Sequence, residues 1–515
     1  AAGGVVVPIY PSSSAEECEW VIANSGAVAV FCENAAQLAK VATSLSRLDA
    51  VRHIILIDPA DEVDISGVET GTLEQLRSSG RDGDPMELAR RTAAVEPEDV
   101  GLIVYTSGTT GRPKGCTLTH RNMTSCCRVT TELEVIGPDD VVYLFLPMAH
   151  VFAQVVQLSA SSVGAVVAYC SGDATRILPD FAEVQPTFVP SVPRIFEKVY
   201  SVFAGQVPPE MLTNAVAAGT AVRQLEAAGQ PVPEQLAAGF AQADAVLFAK
   251  VRGVFGGKLR GAISGAAPIA PEILQFFHAA GVPVYEGYGM SESSSVGTLN
   301  SAGATKIGTI GRPVPGCEAR IAEDGEILMR GPHIFAGYWD NPEATAETLV
   351  DGWLQTGDLG AIDEDGYVTI TGRKKDIIIT AGGKNLTPAN LENDLRQSPW
   401  ISHAVMHGDR RPYPVALITL DPEYVIPWAK EQGLPTEMGE LAVHPTVQAT
   451  IQEAVDRTNS HHAKVSQIKK FAILDHDLSL ESGDLTPTLK VKRAVVQQKY
   501  AGLLDAMYED VSPVS

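Results

Sequence analysis

At 515 residues the chain is too long for one ordinary domain and long enough to bury a large core, so two to four structural units are expected. A composition of 45% hydrophobic and 20% charged residues excludes disordered, collagenous and coiled-coil classes for the bulk of the chain. Sixty-two acidic against 39 basic side chains give a formal charge of -23, which excludes nucleic acid as a partner of the overall surface and leaves any polyanionic ligand to a local basic site.

Residues 1–9 read like the middle of a folded domain, so a natural start lying further upstream is expected. Apolar runs at 27–31, 53–57, 100–105, 141–146, 163–168 and 187–189 alternate with helical-looking stretches, a pattern that predicts an α/β fold with parallel-rich sheets. The stretch 141–172 has no Asp, Glu, Lys or Arg and is long enough to span a bilayer. Pro147, His150, Gln154, Gln157 and three serines interrupt it, so it reads as two buried strands bracketing a short helix, with no transmembrane segment. Residues 197–252 are Ala-rich, with helices expected at 224–228 and 234–250 on either side of Gly229-Gln-Pro-Val-Pro233. Between 297 and 371, short apolar runs and Asp/Gly turns such as Asp363-Glu-Asp-Gly366 indicate a small β-rich unit, and the chain then resumes as mixed α and β. These shifts divide the chain into 1–296, 297–371, a junction at 372–376, and 377–515. The seven cysteines are scattered without a C-x-x-C pair, which suggests neither a disulfide framework nor a zinc site and makes a reducing cytoplasm the simplest setting.

The clearest chemistry follows the run ending at Tyr105. Thr106-Ser-Gly-Thr-Thr-Gly-Arg-Pro-Lys-Gly115 puts four hydroxyls, three glycines and a lysine where amides, hydroxyls and an ammonium can wrap oligophosphate oxygens. It is not a Walker A loop, because Lys114 follows Pro113 and precedes Gly115. Taken alone, the segment reads equally well as a flexible turn.

The same segment resembles the phosphate loop of the acyl-adenylate-forming superfamily. Further matches follow in that family's order: Leu146-Pro-Met-Ala-His-Val-Phe152, Gly287-Tyr-Gly-Met-Ser-Glu292, Gly325-Glu-Ile-Leu-Met-Arg-Gly-Pro332, Trp353-Leu-Gln-Thr-Gly-Asp358, Gly372-Arg-Lys-Lys-Asp376 and Pro487-Thr-Leu-Lys-Val-Lys-Arg493. Ser191-Val-Pro-Arg-Ile-Phe-Glu-Lys-Val-Tyr200, Ser264-Gly-Ala-Ala-Pro268 and the helical insertion are most similar to long-chain fatty acyl-CoA synthetases. The resemblance implies a large N-terminal α/β domain with a small β-barrel subdomain, followed by a smaller mobile α+β domain. It also implies a two-step ligase: carboxylate plus ATP gives acyl-AMP and pyrophosphate, and CoA then gives acyl-CoA and AMP.

Residue by residue, the resemblance assigns the phosphates to Ser107, Gly108, Thr109, Thr110, Gly111 and Lys114, and Mg²⁺ to Thr106 and Glu292. A hydroxyl and a carboxylate suit a cation that takes few protein oxygens beside phosphate oxygens. Gly265, Ala266, Glu286, Gly287, Tyr288, Gly289 and Ser291 would surround the nucleotide, with Asp358 accepting both ribose hydroxyls and Arg373 assisting. The family more often has Thr where Ser291 stands. Lys490 is the expected catalytic lysine, bridging the fatty carboxylate and the α-phosphate, although Leu489 replaces the commoner Gly before it. His150 is expected to position the carboxylate, with a satisfied core histidine as the alternative. Lys375 marks the hinge on which the C-terminal domain swings, exchanging Lys490 for the CoA passage at Gly382 and Gly383. Cys116 is expected to serve packing, and His461-His462 to lie on the surface. The expected partners are fatty acid, ATP and CoA. The sequence leaves room for a homodimer and for transient contact with a membrane surface. Two other classes remain open at this level: delivery of acyl-AMP to a carrier protein, and a non-catalytic relative.

Overall fold

The computed structural model describes residues 3–58, 67–81, 83–106, 112–381, 385–486 and 490–509. The chain enters through the helix Ala15–Ser25, begun by a Ser14/Glu17 capping box and ended where Gly26 turns left-handed at φ 66°. Beside it, the strands Ala29–Cys32, His53–Leu56 and Glu69–Thr72 form a parallel sheet over a core of Ile22, Val30, Leu38, Ile54 and Leu56.

The main sheet has seven strands in the spatial order Arg312–Pro313, Thr298–Leu299, Val284–Tyr288, Gly261–Ser264, Phe188–Ser191, Val141–Leu144 and Val166–Tyr169. The five from Val284–Tyr288 onward run parallel, and the two others are antiparallel additions. The uncharged stretch 141–172 resolves into two of these strands and the helix Val151–Val163, and no described helix is long and apolar enough to cross a membrane. Its second strand is half-exposed rather than buried.

The helical insertion differs in detail from its sequence reading. Its first long helix runs Pro209–Ala227, not 224–228, because Pro208-Pro209 starts it and the expected segment is only its last turn. The second, Glu234–Ala243, is broken by a π turn at Asp244–Phe248 before Ala249–Val254. Within this turn, Asp244 takes both ends of the Arg252 guanidinium at 2.7 and 2.8 Å. These helices close over Phe181, Phe196, Phe248, Phe255, Phe276 and Phe277, all fully buried, with Phe255 stacked on Phe181 and the Phe196–Phe277, Phe248–Phe276 and Phe276–Phe277 pairs edge to face. Truncating one such ring to Ala typically costs about 3–5 kcal/mol, so this cluster anchors the sheet that carries the site.

The β-rich unit is less self-contained than the sequence suggests. Glu318–Ile321, Glu326–Arg330, Trp353–Ile362, Leu349–Val350 and Val368–Arg373 form one antiparallel sheet, whereas Thr298–Leu299 and Arg312–Pro313 join the main sheet. A second sheet, Gly337–Tyr338, Lys114–Thr119 and Val100–Thr106, faces the five strands across a shared core of Leu102, Cys116, Leu118, Ile327, Met329, Leu354 and Val368. The wall of the β subdomain is therefore in two pieces, one supplied from residues 100–119.

Beyond the short 3₁₀ turn Lys374–Asp376, the C-terminal part is built on Ile401–His407, Val415–Leu420 and Lys470–Ile473, flanked by the helices Pro388–Leu395, Pro422–Glu431, Pro445–Ser460 and Arg493–Lys499. It meets the helix Pro193–Ala204 through Arg194 Nη2 on Asp421 Oδ2 at 2.6 Å and through an ion pair between Lys198 and Glu423.

Candidate active site

Thr106 and Lys114 face each other in register across the antiparallel pair that flanks the phosphate loop. Ser107, Gly108, Thr109, Thr110 and Gly111 themselves lie outside the described residues. The loop's outgoing limb is held from the first helix: Trp20 Nε1 donates to the Pro113 carbonyl at 2.8 Å, and the Arg112 guanidinium lies 4.6 Å over the Trp20 ring. Gly115, inside the strand opposite Tyr105, is needed because a Cβ there would stand 2.8 Å from Ile103 Cγ2.

Glu292 reaches the same place from the main sheet. The strand Val284–Tyr288 carries Glu286, Gly287 and Tyr288, and the chain then folds back so closely that a Cβ on Gly289 would lie 2.1 Å from the Ser295 carbonyl oxygen. Ser294 and Ser295 adopt φ of 51° and 85°, and the Ser294 hydroxyl fastens this turn to the His333 carbonyl at 2.7 Å. Glu292 is buried, its backbone carbonyl accepts from Phe335 N at 2.9 Å, and its Oε1 accepts the Tyr338 hydroxyl at 2.6 Å. Cys116, fully buried beside Thr106 and Glu292, has its thiol pushed well above the ordinary value by burial and then by the Glu292 charge. A protonated, enclosed thiol agrees with packing and not with nucleophilic chemistry.

On the ribose side, Asp358 and Arg373 are register partners on adjacent strands, with Arg373 Nε 3.3 Å from Asp358 Oδ1. Tyr288 donates its hydroxyl to Asp358 Oδ2 at 2.5 Å, so its polar end is committed to the carboxylate. Burial raises the Asp358 carboxyl above its ordinary value, while Arg373, the Tyr288 hydrogen bond and Lys490 pull it back. Ahead of it, Gly357 turns at φ 72° with its N–H on Glu326 Oε1 at 2.7 Å, and Lys374 Nζ holds Glu326 Oε2 at 3.0 Å.

Ala266, between Gly265 and Ala267, has φ 69°, a strained value for a residue with a Cβ. Glu286 pairs in register with Ser264, and burial pushes its carboxyl up to about 8. The Ser264 hydroxyl is also buried and lacks a protein partner. A neutral acid beside an unsatisfied hydroxyl offers both donor and acceptor functions, as an uncharged base edge requires. Ser291 opens the 3₁₀ turn that carries Glu292.

His150 caps the helix Val151–Val163, its Nδ1 accepting from Phe152 N at 3.1 Å. That bond assigns the neutral ring's proton to Nε2. Burial, and then the Lys490 charge, lower its pKa to about 4, so near neutral pH it is an uncharged donor. Lys490 comes from the other domain on a tight hairpin: Thr486 N donates to the Lys490 carbonyl at 2.8 Å, Lys490 N to Thr486 Oγ1 at 3.1 Å, and Lys492 N to the Asp484 carbonyl at 2.8 Å. The residue is solvent-accessible, but its ammonium is enclosed by the cleft. Enclosure and then Arg373 push its pKa below the usual lysine value, while Asp358 and Glu292 pull it up. Lys490, His150, Asp358, Arg373 and Glu292 therefore share one electrostatic neighbourhood.

Other expected positions fall elsewhere. Lys375 is exposed in the 3₁₀ turn between the domains, and Gly382 and Gly383 lie outside the described residues. His462 is half-buried and hydrogen-bonded through Nε2 to Asp394 at 2.7 Å, a structural contact rather than a bare surface residue. Among the described residues no group of three or more His, Cys, Asp or Glu could hold a metal. Tyr338 and Trp20 were not singled out by sequence, because their partners lie 46 and 93 residues away in the chain.

Known proteins resemble this chain in sequence and in fold. The AMP-binding enzyme family matches residues 1–339, and the AMP-binding enzyme C-terminal domain matches residues 375–512. The long-chain-fatty-acid–CoA ligase FadD15 of Mycobacterium tuberculosis is 42% identical over 515 residues, covering 99% of this chain and 84% of its own length. Human long-chain-fatty-acid–CoA ligase ACSBG1 is 31% identical over 551 residues, covering 99% of this chain and 75% of its own length. Among solved structures, the adenylation domain of a carboxylate reductase from Mycobacterium chelonae has the same fold, with a TM-score of 0.75 at 21% identity, covering 98% of this chain and 77% of that domain. The chain belongs to the AMP-binding enzyme family.

Proposed function

We propose that the protein is an AMP-forming long-chain fatty acid–CoA ligase that activates a fatty acid with ATP and passes the acyl group to CoA. The observation that carries the mechanism is the convergence of Lys490 from one domain with His150, Glu292, Asp358 and Arg373 from the other. The relatives' names support the substrate class.

In this reading Asp358, held by Tyr288 and Arg373, binds the ribose hydroxyls, and Glu286 with the 265–267 backbone reads the base. Neutral His150 donates from Nε2 to the fatty carboxylate and orients it without consuming its negative charge. Lys490 lies between carboxylate and α-phosphate and offsets charge as the carboxylate oxygen attacks phosphorus and pyrophosphate departs. Thr106 and Glu292, which both lie beside Cys116, would hold Mg²⁺ as one hydroxyl and one carboxylate, hard oxygens suited to that cation. When bound, the metal supplies charge neutralisation on the phosphates. Rotation about Lys375 then withdraws Lys490 and brings Gly382 and Gly383 to the CoA passage, where the thiolate displaces AMP from the acyl carbonyl. A cytoplasmic enzyme that meets its fatty substrate at a membrane surface, alone or as a homodimer, accords with this chemistry.

The test measures pyrophosphate and AMP release across a fatty-acid length series, with and without CoA, beside Lys490→Ala. AMP release that needs CoA and peaks with long chains supports the assignment. Pyrophosphate release indifferent to CoA would transfer the protein to the carrier-delivery class.

A further inference from the structure

We infer that Tyr338 is a positioning residue for adenylation, coupling the carboxylate of Glu292 to the ammonium of Lys114. The inference rests on the assignment of Glu292 as a magnesium ligand and of Lys114 as a phosphate contact. Tyr338 does both jobs with different parts of one side chain. Its hydroxyl donates to Glu292 Oε1 at 2.6 Å, and its ring carries Lys114 Nζ 5.0 Å from the centroid.

The side chain has little freedom to do anything else. Gly337–Tyr338 pairs with the strand that bears Lys114, Tyr338 lying opposite Cys116, two residues beyond that lysine. Tyr338 N donates to Thr345 Oγ1 at 2.9 Å, and the preceding Gly337 has φ 138° with a Thr345 methyl 2.7 Å from where a Cβ would be. On its other flank Phe335 meets the ring edge on at 4.9 Å, and Phe335 N is itself bonded to the Glu292 carbonyl at 2.9 Å. Glu292 is thus held at its backbone by Phe335 and at its carboxylate by Tyr338, which fixes one oxygen and the plane of the group. A hydrogen bond from an outer residue to a metal-binding carboxylate typically governs metal affinity by about 10–100-fold. The ring face supplies a smaller attraction that holds the Lys114 ammonium over it.

The two parts separate by substitution. Tyr338→Phe removes only the hydroxyl, and Tyr338→Leu removes hydroxyl and ring. Binding of Mn²⁺–ATP to the enzyme, read by the enhancement of water-proton relaxation over that of free Mn²⁺–ATP, reports the metal site without turnover. Steady-state KM for ATP at saturating metal reports the lysine, and thermal melting reports the fold. Tyr338→Phe is expected to weaken Mn²⁺ binding about tenfold, leaving the KM for ATP at saturating metal and the melting temperature near wild type. Tyr338→Leu is expected to add an increase of about threefold in that KM. Glu292→Gln is the reference. If it weakens Mn²⁺ binding and Tyr338→Phe does not, the role of Tyr338 is overturned while the metal assignment stands. If Glu292→Gln leaves Mn²⁺ binding unchanged, the metal assignment itself falls. A Tyr338→Phe defect that appears only as a lower melting temperature would reduce the residue to a structural one and overturn the inference.

Discussion

Arg493 and Glu392 are joined by two parallel hydrogen bonds, Nη1 to Oε1 at 2.6 Å and Nη2 to Oε2 at 2.7 Å, inside the C-terminal domain. Glu392 Oε1 also accepts Met406 N at 2.7 Å, and Arg493 Nη1 donates to the Met406 carbonyl at 3.0 Å, so the fork locks helix, strand and the hairpin of Lys490 together. Arg493→Ala leaves a buried carboxylate without its partner and is expected to cost about 3–5 kcal/mol in urea denaturation. Arg493→Lys keeps the charge but loses the planar fork, so stability should fall less while pyrophosphate release still drops.

Lys490→Ala should reduce fatty-acid-dependent pyrophosphate release by about 10²–10³-fold, the usual loss when one preorganised charge-stabilising donor is removed. Thioester formation from supplied acyl-AMP should remain near wild type, because in the proposed mechanism that step uses the other domain orientation. Since enclosure and Arg373 lower the pKa of this ammonium, the wild-type adenylation rate should fall on the alkaline side before an ordinary lysine would titrate. A stopped pH series from 7 to 10, with and without the substitution, checks both statements.

Two buried groups give stability opposite slopes with pH. His333, 1% exposed, has its pKa lowered by burial from 6.5 to about 4, so its contribution is complete above 6.5 and is lost as pH falls towards 4. Glu286 is raised from 4.5 to about 8, so its contribution is complete below 4.5 and is lost as pH rises towards 8. Each slope is about 1.4 kcal/mol per pH unit within its window. Melting curves should therefore show Glu286→Gln gaining on wild type between pH 5 and 8, and losing that gain on acidification. A constant difference across that range would contradict the protonated state of Glu286.

The ion pairs Arg194–Asp421 and Lys198–Glu423 join the helix Pro193–Ala204 to the C-terminal domain in the orientation that presents Lys490. Exposed pairs of this kind are worth about 0.2–1 kcal/mol each. Arg194→Asp should slow adenylation a fewfold with little change in thioester formation, and Asp421→Arg in the same chain should restore most of it. Raising ionic strength should narrow the difference, because these charges are partly screened.

Much of the site was legible because its motifs are local. The 106–115 loop, Gly287–Glu292, Trp353–Asp358 and the turn at 372–376 each carry their chemistry within about ten residues, and the fold brings their described members to one cleft. Contacts between distant segments were not legible. Nothing near Tyr338 in sequence announces Glu292, and nothing near Trp20 announces Pro113, because a strand or helix pattern fixes which face a side chain occupies and not which distant group it meets. The same reason hid the two-piece β subdomain: residues 100–119 read as any strand and turn, and only the pairing with Gly337–Tyr338 assigns them. The π turn at Asp244–Phe248 escaped because Ala-rich periodicity continues through it, and the Arg252–Asp244 bond that accompanies it spans eight residues, outside the three- and four-residue spacings of a regular helix surface.

The strand that bears Lys114 is bonded on its outer edge to residues synthesised much later. Thr117 Oγ1 donates to the Gly337 carbonyl 220 residues on, Ala336 N to the Thr117 carbonyl at 3.0 Å, and Trp339 N to the Gly115 carbonyl at 2.7 Å. At ribosomal rates of about 5–20 residues per second, that separation leaves the hairpin without its neighbour for roughly 10–40 s. During that time its bare edge is open to other strands, and the tyrosine that orients Glu292 has not been made. The nascent chain therefore passes through a long period in which it can aggregate but cannot hold a nucleotide as the finished protein would, so ATP should assist the last stage of its folding and not the first.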